Sequence, residues 1–103
     1  MWRLEASEDL ESGPLAVQIA PGTVKTLGRA LPADVILDAP LVSRVHCRLT
    51  AGARGLEIVD LDSTNGTYIN DRRIKRAHLT PGDRLRIGRV LLTVSHESVG
   101  SGQ

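Results

Sequence analysis

Apolar side chains in this chain come in short runs alternating with polar ones, and the runs are cut at close intervals by Gly, Pro, Asn and Asp. Alternation over about four to eight residues marks a strand with one face buried. No stretch keeps apolar residues at i, i+3, i+4 and i+7 for several turns, so helix is not expected. The pattern predicts strands over Trp2–Ala6, Leu15–Ile19, Thr23–Leu27, Val35–Leu37, Val45–Thr50, Leu56–Leu61, Thr67–Ile69, Arg84–Ile87 and Val90–Ser95. Turn signals stand at Pro21-Gly22, Gly52 to Gly55, Asn65-Gly66 and Pro81-Gly82. A series of this kind fits an all-β sandwich.

Alternation also assigns faces. Val17 and Ile19 share one side of their strand with Gln18 opposite, while Cys47 and Leu49 alternate with His46, Arg48 and Thr50, which puts Cys47 in the core. The run Val90-Leu-Leu-Thr-Val94 is more continuously apolar, as expected of a central strand covered on both faces. There is no internal repeat. From Ser98 the residues are small and polar, ending Gly100-Ser-Gly-Gln103, so residues 1–97 are expected to fold and 98–103 to form a flexible tail or the start of a linker.

Composition narrows the possibilities. A chain of 103 residues suits one domain held by burial alone. Apolar residues are 41% of it, yet Phe is absent and Trp2 and Tyr68 are the only aromatics, so the core must be aliphatic. Thirteen basic residues against twelve acidic give +1, which excludes a broad positive field for coating nucleic acid or an anionic membrane; any anion site must be local. Lysine occurs only at Lys25 and Lys75, and the arginines that replace it can grip a phosphate with two parallel hydrogen bonds. Cys47 is the only cysteine, so an internal disulfide is impossible and a reducing compartment is expected. The N-terminus lacks a signal-peptide core, and no apolar run approaches about 18 residues, so a soluble, cytoplasmic protein is expected.

Three segments put polar, anion-binding residues between apolar strands, where scaffolds display function. They are Leu27-Gly28-Arg29, Ser43-Arg44-Val45-His46 and Asp62-Ser63-Thr64-Asn65-Gly66-Thr67. Their order and spacing, from about Val17 to Val94 (the motif core 17–94), resemble the forkhead-associated (FHA) family: a Gly-Arg after an early strand, a Ser-x-x-His opening a middle strand, and an Asn-Gly after the next. Gly-Arg alone means little, and Ser-x-x-His recurs by chance in many chains. The three in order, with Leu79-Thr-Pro-Gly-Asp-Arg-Leu-Arg-Ile-Gly88 following, are specific. The resemblance implies two mainly antiparallel sheets of roughly 11 short strands packed as a sandwich. It also implies a signalling adaptor that recognises phosphothreonine in an extended peptide segment of a partner, which would be a Ser/Thr kinase or its substrate.

The residues suit that ligand. Phosphothreonine carries about −1.5 to −2 charges and three acceptor oxygens at neutral pH, so a binder needs converging donors. Arg29 offers a charge-assisted contact behind Gly28, which allows close backbone approach; Ser43 offers a hydroxyl, and Arg44 a second positive group. By resemblance, Arg29, Ser43, Arg44 and Thr64 meet the phosphate and the Asn65 amide bonds the peptide backbone. His46 and Gly66, with Gly28, would support the binding loops. Read alone, Arg29 and Arg44 are solvated charges, Ser43 a turn residue bonding its own backbone, and Asn65-Gly66 a tight turn whose residues both tolerate positive φ. Asp60 and Asp62 read as turn-shaping or Arg-pairing carboxylates and Asp83 as a turn residue. Arg72, Arg73, Arg76, Arg86 and Arg89 read as a solvated face, with Arg89 a secondary candidate for reaching the ligand.

Two other functions make different demands on the sequence. A phosphate-independent interaction or oligomerisation domain would use a sheet face, but every phosphate-binding position of the pattern is filled here. An enzyme would need a motif, and there is no phosphate loop, His-Glu-x-x-His, Gly-x-Ser-x-Gly or His/Cys cluster; His78 and His96 lack ligand spacing, so neither a metal nor a cofactor is expected. On an extended strand Ser43 and His46 would face opposite sides. The expected module is monomeric and non-catalytic, binding neither nucleic acid nor membrane.

Overall fold

A computed structural model describes residues 1–8 and 13–97. The expected tail at 98–103 lies outside the described residues. Among the described residues eleven strands form two sheets. In chain order they are β1 (Trp2–Ala6), β2 (Ala16–Ile19), β3 (Val24–Gly28), β4 (Val35–Ile36), β5 (Cys47–Gly52), β6 (Gly55–Asp60), β7 (Thr67–Ile69), β8 (Arg72–Ile74), β9 (Arg76–Leu79), β10 (Arg84–Ile87) and β11 (Val90–His96). One sheet has the order β2-β1-β11-β10-β7-β8 and the other β4-β3-β5-β6-β9. Every pairing is antiparallel except β3 with β4.

The core lies between the sheets and is aliphatic, as the composition requires. The six-stranded sheet contributes Leu4, Val17, Ile19, Leu85, Ile87, Leu92 and Val94, and the five-stranded sheet Leu27, Cys47, Leu49, Leu56, Ile58 and Leu79, all buried. Val17 and Ile19 point inward and Gln18 outward, as alternation predicts. Cys47 is fully buried, and desolvation, reinforced by the nearby Asp60 charge, pushes its thiol far above the ordinary range, so it packs as a small apolar side chain. Truncating a fully buried leucine such as Leu49 or Leu92 to alanine is expected to cost about 2–5 kcal/mol.

Three expectations change. β11 is central, but it is covered on one face: Val90, Leu92 and Val94 are buried while Thr93 is exposed and Leu91 half-buried on the outer surface. A central position protects backbone hydrogen bonds without requiring a second apolar layer. β8 and β9 are absent from the pattern-based assignment because both are edge strands in which only Ile74, Ala77 and Leu79 reach toward the core. Polar residues dominate such strands, so alternation there is faint. Finally, the tight two-residue hairpin is not Asn65-Gly66. It is Asn70-Asp71, both at positive φ (49° and 70°) between the paired Ile69 and Arg72, as a type I′ turn requires. Of the earlier pair only Gly66 has positive φ, within a longer loop from Leu61 to Gly66.

Candidate functional site

Connections β3–β4, β4–β5 and β6–β7 meet at one end of the sandwich, and their backbones are fastened together. Arg29 N–H donates to the Ser43 carbonyl at 2.9 Å and Ala30 N–H to the Arg44 carbonyl at 3.3 Å. Gly28 is required by that contact: a Cβ there would overlap the Arg44 carbonyl oxygen and stand 2.8 Å from Val45 Cα. The glycine admits the neighbouring loop rather than a left-handed turn.

His46 ties the cluster from inside. Its backbone N–H donates to Leu27 O (2.8 Å) and its carbonyl accepts from Leu61 N–H (3.0 Å). The fully buried ring accepts the Ser43 N–H at Nδ1 (3.0 Å) and lies 2.8 Å from the Gly66 carbonyl through Nε2. A backbone N–H can only donate and a carbonyl only accept, so the neutral ring carries its proton on Nε2. The expectation that Ser43 and His46 face apart fails because residues 43–46 precede β5 as a turned segment. The ring nevertheless meets Ser43 through its backbone. The Ser43 hydroxyl oxygen accepts the Thr64 N–H at 3.0 Å, so it bridges two loops instead of bonding its own backbone.

A second network sets the β6–β7 loop. Asp60 Oδ1 accepts the Ser63 hydroxyl (2.6 Å) and the Thr67 hydroxyl (2.7 Å), Oδ2 accepts the Ser63 N–H (3.2 Å), and Ser63 Oγ accepts the Gly66 N–H (3.0 Å). Burial pushes the Asp60 pKa up, but the hydrogen bonds from the Ser63 and Thr67 hydroxyls and the Ser63 N–H outweigh it, and it lies below the ordinary carboxylate value. Ser63 and Thr67 are buried, so these bonds cannot be exchanged for water. Asp60 is a turn-shaping carboxylate, whereas Asp62 makes a surface pair with Lys75 at 3.4 Å, not with an arginine.

Outside this scaffold lies an open depression of about 540 Å³ lined by Arg29, Ser43, Arg44, Thr64 and Asn65, which the sequence had singled out separately. Among the described residues neither Arg29 nor Arg44 is within salt-bridge distance of a carboxylate, and the Ser43 and Thr64 hydroxyls donate to no protein group. The Asn65 amide nitrogen donates to Leu41 O at 3.1 Å. Arg89 is exposed on the Gly88-Arg89 turn and does not line the depression, although a Cβ at Gly88 would come within 2.8 Å of the Pro40 carbonyl oxygen on a neighbouring loop. Sequence reasoning missed Leu41, Val42, Val45 and Asp62, which complete the lining. Leu41 is 45% exposed at φ 70°, unusual for a leucine, and nothing in the residue pattern marks it. Elsewhere, His78 lies exposed on β9, and His96 packs against Trp2 with ring centroids 4.5 Å apart.

Comparison with known proteins converges on one family. The FHA domain family model matches residues 25–88, more than half of the chain. The chain is 38% identical over 81 residues to the ABC transporter ATP-binding/permease protein Rv1747 of Mycobacterium tuberculosis, covering 79% of this chain and 9% of that protein. It is 37% identical over 65 residues to the glycogen accumulation regulator GarA of Mycolicibacterium smegmatis, covering 63% of this chain and 41% of that one. The chain therefore spans less than half the length of these relatives. Among solved structures, an FHA domain studied for phosphothreonine-dependent interactions superposes with a TM-score of 0.83 at 28% identity, over 95% of this chain and 98% of that one. The FHA domain of FhaA, complexed with the intracellular domain of Rv3910, superposes at 0.79 and 26% identity, over 91% and 99%. Strand order, fastened loops and matched sequence agree: the chain belongs to the FHA domain family.

Proposed function

We propose that this domain captures a threonine-phosphorylated, extended segment of another protein in the depression formed by Arg29, Ser43, Arg44, Thr64 and Asn65, and performs no chemistry on it. The observation that carries the reading is the convergence of two guanidinium groups without carboxylate partners and two undonated hydroxyls on one open surface, behind which the backbone is rigidly bonded. That is a preorganised donor set for a dianionic group with three acceptor oxygens. Arg29 and Arg44 supply charge, Ser43 and Thr64 donate hydroxyl hydrogens, and the Asn65 amide, exchanging its bond to Leu41, matches a peptide group of the ligand. Leu41, Val42 and Val45 give the depression an apolar wall, against which a γ-methyl is worth roughly 1–3 kcal/mol in favour of threonine over serine.

Ser43 and His46 do not act as a nucleophile and base, because both ring nitrogens of His46 hold backbone groups. The folded unit is residues 1–97, closed by pairing of β1 with β11 along Trp2–Ala6. It works as a monomeric cytoplasmic module without a cofactor, and its partner is a Ser/Thr kinase or a substrate of one. Among the described residues no helix is long and apolar enough to cross a membrane.

Fluorescence anisotropy with a degenerate phosphothreonine peptide pool, its unphosphorylated twin and the Arg29→Ala variant tests this. Binding confined to the phosphorylated pool and lost in the variant is expected. Equal binding of both pools, unaffected by Arg29→Ala, would replace the reading with a phosphate-independent interaction surface.

A further inference from the structure

Charge in this chain is unevenly placed. Residues 71–89 hold seven arginines and lysines against two aspartates, an excess of +5 in a chain whose formal net charge is +1, so the remainder is −4. The strand register carries part of that excess to the outer face of the six-stranded sheet, because Tyr68 stands opposite Arg73 on one side and Arg86 on the other. These residues form a cross-strand row, with neighbouring strands about 4.8 Å apart. Arg84 lies two residues further along β10 on the same face.

The row is more ordered than solvated charge alone would suggest. The Arg86 guanidinium carbon lies 4.3 Å from the centre of the Tyr68 ring, a cation–π contact that fixes the group while leaving N–H edges free. Among the described residues neither Arg73, Arg84 nor Arg86 pairs with a carboxylate. The row is also continuous with the binding depression: the Arg73 side chain crosses Gly66, its Nε 2.7 Å from where a Cβ would stand, and Gly66 directly follows Asn65. A ligand leaving the depression past the Asn65–Gly66 turn meets Arg73 first and then Arg86.

We propose that this Arg73–Tyr68–Arg86 row is a second recognition surface, which reads acidic residues flanking the phosphothreonine in the partner segment. The inference rests on the phosphothreonine reading above and extends it to the class of ligand: an acidic phosphopeptide. A protein ligand fits better than nucleic acid or membrane because the row is narrow, carries one aromatic ring and belongs to a chain of net charge +1. The acidic flank adds affinity and register; the phosphate remains the anchor.

The test compares two phosphothreonine peptides, one with Asp/Glu flanks on both sides and one with Ala/Gln flanks, for the wild type, Arg73→Gln/Arg86→Gln, Arg54→Gln at the distant β5–β6 turn, and Arg29→Ala. Circular dichroism and thermal melts verify that each variant is folded. The acidic flanks are expected to tighten wild-type binding about three- to tenfold at low salt, a gain that fades as salt rises. Arg73→Gln/Arg86→Gln should lose that gain and bind the neutral phosphopeptide within about twofold of wild type, while Arg54→Gln keeps it. No gain from acidic flanks, or a gain that survives in the double variant, overturns the inference while leaving the phosphothreonine reading intact. Failure of the neutral phosphopeptide to bind, or its equal binding to Arg29→Ala, overturns the phosphothreonine reading and this inference with it. Retention of single-stranded RNA or anionic vesicles through the same two arginines, without a flank effect, would assign the row to those ligands instead.

Discussion

At one end of the sandwich Asp60 accepts the Ser63 and Thr67 hydroxyls and the Ser63 N–H; at the other Asp83 accepts the Thr80 N–H (2.8 Å), the Thr80 hydroxyl (3.0 Å) and the Asn70 amide (3.0 Å). The residue types and bond counts are nearly the same. Their surroundings differ: Ser63 and Thr67 are buried and continue into the His46 network, whereas Thr80 and Asn70 are exposed and Asn70 leads only to the Arg84 backbone at the start of β10. Water can replace the Asp83 bonds with little loss, but the buried hydroxyls beneath the binding loops have no such substitute. Polar networks that must be satisfied internally fix the loop above them, so its outward-facing side chains are held ready for something else.

The contrast is most exposed to failure at His46. His46→Ala strips the Ser43 N–H and the Gly66 carbonyl of their partners in a fully buried site and leaves a cavity, so it should lower stability by about 2–4 kcal/mol and abolish phosphopeptide binding. Urea denaturation and anisotropy check both effects; a variant that binds normally would show that the depression does not depend on this scaffold. Gly28→Ala should come next, since its methyl displaces the Arg44–Val45 backbone: about 1–3 kcal/mol of stability and at least about tenfold in affinity. Gly52→Ala, at the last residue of β5, where a Cβ would meet nothing within 4 Å, should leave binding unchanged.

Much of this was legible beforehand because the signals were local and periodic. Buried alternation in β2 and β5 marked the inner faces, and three short motifs held five of the residues that line the depression. The features that local pattern does not carry are non-local. β8 and β9 are edges whose apolar content is too low for a period to stand out, and the row Arg73–Tyr68–Arg86 exists only through the register of β8 on β7 and β7 on β10. Leu41 enters the site by a backbone conformation that its identity does not foretell, and the reason for Gly28 is the Arg44 carbonyl, far along the chain. Asn65-Gly66 carried the stronger hairpin signal, but Asn70-Asp71 made the turn because the Ser63 and Asp60 bonds required a wider loop.

Acid sharpens the comparison next. In both turns burial pushes the aspartate pKa up, but donated bonds outweigh it, from Ser63 and Thr67 at Asp60 and from Thr80 and Asn70 at Asp83, so each folded value is depressed. A depressed carboxylate contributes fully above its unfolded value of about 3.9, and that contribution is lost as pH falls through the lower folded value. Thermal stability should therefore hold from about pH 7 to 5 and fall below about pH 4, with Asp34, held down chiefly by the Thr26 N–H, titrating in the same window. Asp60→Asn places a donor against the Ser63 N–H or one of the hydroxyls, so it should flatten the acid slope, lower stability by about 1–3 kcal/mol at neutral pH and weaken phosphopeptide binding.

Asp83→Asn makes the smallest difference. Its partners are exposed and free to turn toward water, so about 0.5–1 kcal/mol of stability is expected to be lost. Part of the acid slope should go with it. Affinity should not move, because Thr80 and Asn70 lie at the end of the sandwich opposite Ser43 and Thr64, and among the described residues no shared hydrogen bond connects the two networks. Calorimetric melts from pH 3 to 7 alongside anisotropy at pH 7 separate the two aspartates. Loss of affinity in Asp83→Asn comparable to that in Asp60→Asn would mean that the ends are coupled through the whole sandwich, and the burial of Ser63 and Thr67 would no longer explain why one turn carries the binding loops.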